Sequence, residues 1–400
     1  MSLYKFASIS RYCASRTVLS TDRRLIVNNV RGFIRNRGGN EETPRSKQYL
    51  KALLNGVGVG LAVGIGHAVY TSYKSKDAHL VHERTEAFVL DELPNVKIIR
   101  KIVNTKDNHN LDLVLFQYQT CPFCCKVRAF LDGNQFSYSV VEVDAVLRQD
   151  IKWSPYKKVP MLLARTKDGK YIQLGDSSMI VSVLSSYLID PSLDVSEYAK
   201  LYPSISYMND EGKKIHDILN KYHLIYGEKI PKNKSKDDLD SERKWREWTD
   251  KHFIHLISPN VYRTKDEAFQ TFEWFAKTSG WDEFFPRWER NLMVYVGATA
   301  MYLISKRLKK RHNLHEDVRQ DIYAACNNWT AELNKRKSKF LGGDKPNLAD
   351  LSLYGALTSM EGCQAFSDIL THTSIEPWFQ AVKKHVTINR GEVFNLLQVQ

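Results

Sequence analysis

Residues 111–131, LDLVLFQYQTCPFCCKVRAFL, decide the fold. The run 111–117 is apolar and of strand length, which predicts a short buried strand. Beyond it Val127, Phe130 and Leu131 recur at helical spacing. Cys121 therefore stands at a strand-to-helix junction. Pro122 takes the first helical position, where a missing N–H costs nothing. A helix start offers unpaired N–H groups and about half a positive charge. Both favour a thiolate, and cysteines so placed titrate at roughly 3.5–7.5 rather than about 8.5.

Cys121-Pro122-Phe123-Cys124 is a Cys-x-x-Cys motif, with a nucleophile at the helix start and a second thiol one turn inward. A structural pair and half of a zinc site are the competing readings. Zinc needs a second pair of ligands at similar spacing. No second cysteine pair or nearby His cluster exists in the sequence. Six cysteines, three of them at 121, 124 and 125, make no disulfide framework and point to a reducing compartment. Cys125 falls on the inner face of the helix and has no evident role.

Working downstream, residues 136–143 alternate like a second strand. Residues 160–164 and 171–174 give a third and fourth, joined by the turn Lys167-Asp168-Gly169-Lys170. Residues 177–190 read as a helix capped by Asp176 or Ser177. The expected order is β-α-β-α-β-β-α. With Lys158-Val159-Pro160 and Asp176-Ser177-Ser178, this resembles a thioredoxin-like domain of the glutaredoxin and glutathione-transferase kind. The resemblance implies a cis Pro160 beside the reactive thiol. It implies a Val159 backbone that hydrogen-bonds the cysteinyl part of glutathione, and Asp176 and Ser177 holding the γ-glutamyl end.

The chain has 400 residues, 43% of them hydrophobic and 26% charged, with 20 Tyr, 17 Phe and 8 Trp. That composition excludes disorder throughout. A mean hydropathy of −0.41 excludes a multispanning membrane protein. Residues 1–50 hold ten Lys and Arg against three acids, so +7 of the net +13 lies in this leader. The folded body is only mildly basic, which argues against a nucleic-acid footprint. The leader reads as a targeting segment or as a disordered basic tail. Residues 52–73 carry no charge, and the candidate transmembrane helix is placed at 51–73. A Gly-rich linker and a buried apolar segment are the alternatives. Charge before the span would put the body on the far side. The thiol cluster argues for a reducing side, and a targeting role for the leader removes the conflict.

From 242 onward long helical patterns dominate. Trp245, Trp248 and His252 read as a packed aromatic face. Residues 286–310 read as one helix, and the run Lys306-Arg307-Leu308-Lys309-Lys310-Arg311 as its solvated, capping end rather than as a membrane patch. Asn347 with Asp350 makes a capping-box variant. The pattern Gly…Pro-x-x-Ala-Asp around it resembles a folding signature of the glutathione-transferase helical domain. The expected organisation is a leader (1–50), a membrane span (51–73), a linker (74–107) and a thioredoxin-like domain (108–195). A connecting segment with a charged loop (196–241) and a helical domain (242–390) follow.

Taken together, TCPFC, KVRAFLD, KKVPMLLA, HLISPNVYRT, MYLISKRLKKRH and KPNLADLSLYG resemble the membrane-associated type 2 prostaglandin E synthases over about residues 108–385. Cys125 departs from that pattern, where a small polar residue is more usual. The resemblance implies isomerisation of prostaglandin H2 to prostaglandin E2, an intramolecular oxidoreduction on a lipid endoperoxide. Cys121 would be the reactive thiol, Tyr118 its hydrogen-bond partner, Cys124 its neighbour and Phe123 a substrate-lining residue. It further implies glutathione, haem held through the glutathione thiolate, a homodimer, and a Golgi or mitochondrial membrane anchor with a cleaved soluble form. Two other functions stay open: a glutaredoxin-type or transferase oxidoreductase, and a non-catalytic protein binding haem and glutathione.

Overall fold

A computed structural model describes residues 88–144, 148–208, 214–226, 235–284 and 286–396. The leader 1–50, the span 51–73, the first part of the linker to residue 87 and residues 231–234 of the charged loop lie outside these residues.

The thioredoxin-like core runs β3 (Leu113–Gln117), α1 (Pro122–Gly133), β4 (Tyr138–Glu142), β5 (Met161–Arg165), β6 (Tyr171–Gly175) and α2 (Ser177–Ile189). β3 and β4 are parallel across α1, while β5 and β6 run antiparallel. All five residues of β3 are buried, because both faces of the sheet are covered. Leu113 and Leu115 face the main core with Val127, Phe130 and Leu131 of α1. Val114 and Phe116 face a second, smaller core with Val141, Met161 and Leu163. That is the alternation a pleated strand imposes. The Val159–Pro160 bond is cis, as the resemblance implied.

Two readings of this region are corrected. The second helix is a single 3-10 turn, Gln149–Ile151. Residues 74–107 are also not all linker. β1 (Val89–Leu90) and β2 (Arg100–Val103) extend the sheet, and β9 (Glu392–Asn395) returns from the C-terminal end to pair with β2. Among the described residues the seven strands of this sheet run in the order β1-β6-β5-β3-β4-β2-β9. β2 hides only Ile102, so its sequence carries no alternation to read.

Between the two domains lie α3 (Val195–Lys200) and a hairpin of β7 (Ser204–Met208) and β8 (Lys214–Ile218). α4 (Lys236–Trp248) begins six residues before the expected boundary, because Ser235 and Asp238 form a capping box. A π turn (Thr249–Phe253) leads into α5 (Ile254–Val261), α6 (Lys265–Thr278), α7 (Trp281–Phe284) and α8 (Arg287–Arg311). α9 (Val318–Arg336), α10 (Leu348–Thr358), α11 (Gln364–His372) and α12 (Glu376–Asn389) complete the helical domain. Trp329 is fully buried, with Trp245 and Trp378 edge-on to its ring. Asp350 anchors the start of α10, accepting from the N–H groups of Leu341 (3.0 Å), Gly342 (3.1 Å) and Asn347 (3.0 Å) and from Trp378 Nε1 (2.8 Å). α10 lies against α1 so closely that a Cβ on Gly355 would stand 2.5 Å from Lys126 Cα. This contact seats the helix that carries the thiol motif. Among the described residues no helix is long and apolar enough to cross a membrane.

Candidate active site

Cys121 is the N-cap of α1 and Pro122 its first residue, as the sequence required. The Cys124 thiol is the strongest influence on the Cys121 sulfur, donating to it. The first-turn amides of Cys124 and Phe123 and the Arg128 guanidinium add to this, against the opposing effect of burial. The net result holds Cys121 at about 7. Cys124 is driven the other way. It is fully buried, it donates its proton to Cys121, and the thiolate there repels a second negative charge. Burial pushes Cys125 up to about 11. One of three adjacent thiols is therefore reactive. All five cysteines among the described residues are free.

Beneath the thiols runs a partly buried polar network. Arg128 donates to Gln117 Oε1 (2.5 Å), to the Gln119 carbonyl (2.7 Å) and to Cys125 Sγ (3.0 Å). Glu142 accepts from the Gln119 N–H (2.5 Å) and Gln117 Nε2 (3.0 Å). The network fixes the turn before Cys121 and places a cation near its sulfur.

Cys121 opens on a cavity of about 720 Å³. Ile254, Ile257, Val261, Tyr262, Phe272 and Phe275 of the helical domain give it an apolar wall. Phe123 and Tyr118 line it, together with the stacked rings of His255 and His312. The expected hydrogen bond from the Tyr118 hydroxyl to Cys121 is not among those of the described residues, and Arg148 is the partner of that hydroxyl. Burial raises the Tyr118 hydroxyl above its usual range, with the Arg148 guanidinium opposing, so it is a proton donor at neutral pH. A backbone hydrogen bond, Cys121 N–H to the Tyr118 carbonyl at 3.2 Å, joins the two residues.

The expected tripeptide-binding residues Val159, Pro160, Asp176 and Ser177 are not among those that line this cavity. Val159 is half-buried, and its backbone makes no hydrogen bond to the described residues. It presents a free peptide edge. Asp176 caps α2, accepting from the N–H groups of Ser178 (2.8 Å) and Met179 (3.3 Å). Its own N–H donates to the Tyr156 hydroxyl at 3.1 Å. Its φ of +67° is uncommon outside glycine, and such strain gathers at functional sites.

Several residues here escaped the sequence reading. Lys126 is buried and donates to Ser178 Oγ (2.8 Å) and Asp250 Oδ1 (2.5 Å). Ser178 donates in turn to Asp250 Oδ2 (2.5 Å), and the Tyr222 hydroxyl donates to the same oxygen (3.2 Å). Asp250 thus ties the thiol helix, the start of α2 and the connecting segment together from within the π turn. Burial alone would raise it, but the Lys126 ammonium and its hydrogen bonds hold it below the usual carboxylate range. Lys221 pairs with Asp217 (2.8 Å) and lies 3.6 Å from Asp176 Oδ2. The one available sequence signal was a lysine at an inward position of α1, which demands a carboxylate somewhere.

Residues 113–170 match the glutaredoxin family model. The chain is 43% identical over 330 residues to prostaglandin E synthase 2 of Mus musculus, covering 82% of this chain and 79% of that protein. It is 40% identical over 347 residues to prostaglandin E synthase 2 of Danio rerio, covering 85% of each. A solved glutathione S-transferase III in apo form aligns with a TM-score of 0.38 at 16% identity, over 69% of this chain and 96% of that one. With a thiol motif, a cis-proline and a helical domain in the expected places, and relatives of this identity over four-fifths of its length, the chain belongs to the prostaglandin E synthase 2 family.

Proposed function

We propose that the protein is a glutathione-dependent, thiol-using isomerase that converts prostaglandin H2 to prostaglandin E2. The observation that carries this reading is a cysteine held at about 7 on the wall of an apolar cavity of about 720 Å³. That size and lining suit an apolar small molecule. The thiolate of Cys121, or that of bound glutathione, attacks one oxygen of the endoperoxide. A sulfur–oxygen bond forms, the O–O bond breaks, and the second oxygen leaves as an alkoxide that takes a proton. A base then removes the proton from the carbon bearing the first oxygen. The C–H electron pair becomes the carbonyl π bond, the sulfur–oxygen bond breaks, and the thiolate is restored with no net redox change. Tyr118, protonated and on the cavity wall, would donate to the developing alkoxide.

The residues present fit glutathione. The free peptide edge of Val159 suits its cysteinyl backbone. The start of α2 at Asp176 and Ser177, with Lys221 beside it, suits the charged γ-glutamyl end. Haem, where it binds, would lie in the same cavity against His255, His312 and the apolar wall. It would bring iron-based O–O cleavage to the site. The glutathione thiolate is the iron ligand that the resemblance implies. In this reading the protein is a homodimer anchored through residues 51–73 to a Golgi or mitochondrial membrane, with the body on a reducing side.

The test is turnover of prostaglandin H2 by the full chain with glutathione. Cys121→Ser is expected to lose conversion and Cys124→Ser to keep it. Equal activity of Cys121→Ser and wild type ends the reading. A glutaredoxin-type oxidoreductase would instead need both cysteines and reduce mixed disulfides.

A further inference from the structure

α8 carries a second surface, facing away from the cavity. Its inner side packs on α6, with Val294, Ala298 and Ser305 buried and Gly297 so close that a Cβ there would meet Phe272 at 2.3 Å. Its outer side shows Trp288 (69% exposed), Leu292 (55%), Tyr295 (61%), Val296 (58%) and Leu303 (62%). At about 100° per residue these five fall within an arc of roughly 100° over four turns. Thr299 lies on the same arc, its hydroxyl satisfied by the Tyr295 carbonyl at 2.8 Å. Scattered exposed apolar residues are ordinary, but a continuous stripe marks an interaction site.

The stripe does not end in neutral surface. Lys306 and Lys310 continue the same arc toward the C-terminus of the helix, with Arg307 at its edge, all exposed. None of the three has an acidic partner among the described residues. Lys309 is different, since it pairs with Glu316. From the sequence alone this run read as a solvated helix end. The structure bears that out and also joins the run to an apolar face.

We propose that the outer face of α8 docks on an anionic lipid surface. The apolar residues would enter the headgroup–acyl boundary, and Lys306, Arg307 and Lys310 would meet lipid phosphates or carboxylates. Trp and Leu on one side of a helix with Lys and Arg beside them suit an interfacial helix. Charge favours this occupant, since the exposed side chains that continue the stripe toward the end of the helix are cations. A two-fold contact would instead set Glu289, at the same edge of the arc as Arg307, near the cations of the other copy, and sedimentation tests that outcome. The docking stands on this geometry alone. A corollary rests on the isomerase reading. Met293 and Leu308 of the same helix line the cavity, so a lipid substrate would enter beside the membrane.

The test reads this helix specifically, because in the proposed reading the full chain is also anchored through residues 51–73. The full chain is mixed with vesicles of phosphatidylcholine, with or without phosphatidylserine, carrying acyl-brominated lipid. Trp288 quenching is taken as the difference between wild type and Trp288→Phe. It is expected with phosphatidylserine, and to be lost in Leu292→Glu/Leu303→Glu. Each cation near an anionic surface is worth about fivefold in partition. The triple variant Lys306→Gln/Arg307→Gln/Lys310→Gln is therefore expected to lose most of the quenching, as is the wild type at high salt. Circular dichroism confirms that the variants fold. Absence of Trp288 quenching on anionic vesicles overturns the proposal. So does a dimer, seen by sedimentation, that falls apart in Leu292→Glu/Leu303→Glu. Neither outcome depends on prostaglandin turnover.

Discussion

The reactive sulfur is tuned chiefly by its neighbour one turn along. Cys124 donates to Cys121, so the pair shares one proton, which rests on the buried partner. A serine at 124 keeps a donor there, whereas an alanine does not. Alkylation of Cys121 by iodoacetamide should therefore have its pH midpoint near 7 in the wild type and close to that in Cys124→Ser. In Cys124→Ala the midpoint should rise by about one pH unit or more, because the largest stabilising contact to the thiolate has gone. The sign is definite: at neutral pH the alanine variant reacts more slowly, and it catches up as pH rises. A midpoint unmoved in Cys124→Ala would assign the shift to the helix start and Arg128 instead. Cys121, Pro160 and Asp176 were legible in the sequence because each does its work within a few residues of chain. Pro122 fixes the helix start, Pro160 the bond before β5, and Asp176 the start of α2.

The π turn between α4 and α5 matters because it aims Asp250 back at the thioredoxin-like domain. Extra residues in a helical ladder recur at functional sites. No local pattern announces this one, since Asp250 lies 124 residues from Lys126 and 72 from Ser178. For the same reason the strands within the linker, and the hairpin within the connecting segment, were not foreseen. β2 and the hairpin owe their structure to partners far along the chain rather than to their own alternation. Asp250→Asn leaves the Lys126 ammonium buried without its counter-charge, which costs about 3–5 kcal/mol where such pairs are broken. Urea unfolding at neutral pH should register that loss. The KM for glutathione should rise, because Ser178 at the start of α2 loses its acceptor. The defect should also depend on pH. The Asp250 carboxyl is held below its usual range, so its ionised form stabilises the fold above the unfolded value of about 3.9 and stops doing so as pH falls through the folded value. Wild type and variant should thus converge in stability in strong acid. A constant gap down to low pH would show that Lys126 does not depend on this charge.

The two domains share one core, and their principal seam is α10 laid along α1. Gly355 sets that distance, since its missing side chain is replaced by the backbone of Cys125 and Lys126. A flexible neighbour could give way to a new methyl group, but a helix backbone cannot without moving α1. α1 carries the thiol motif, and α10 is tied through Asp350 to Trp378 of α12. A shift at this seam therefore reaches both the sulfur and the helical core. Gly355→Ala should lower stability by about 1–3 kcal/mol, the range for overpacking a tight site, although alanine is the better helix former. The larger Gly355→Val should cost more. The decisive comparison sets urea midpoints against Cys121 alkylation rates in the same variants. If the seam positions the thiol, the rate at neutral pH falls as the side chain grows, under conditions where each variant is still folded. If stability drops while the rate stays at the wild-type value, the helical domain merely supports the thioredoxin-like one, and the sulfur is governed entirely within Cys121 to Arg128.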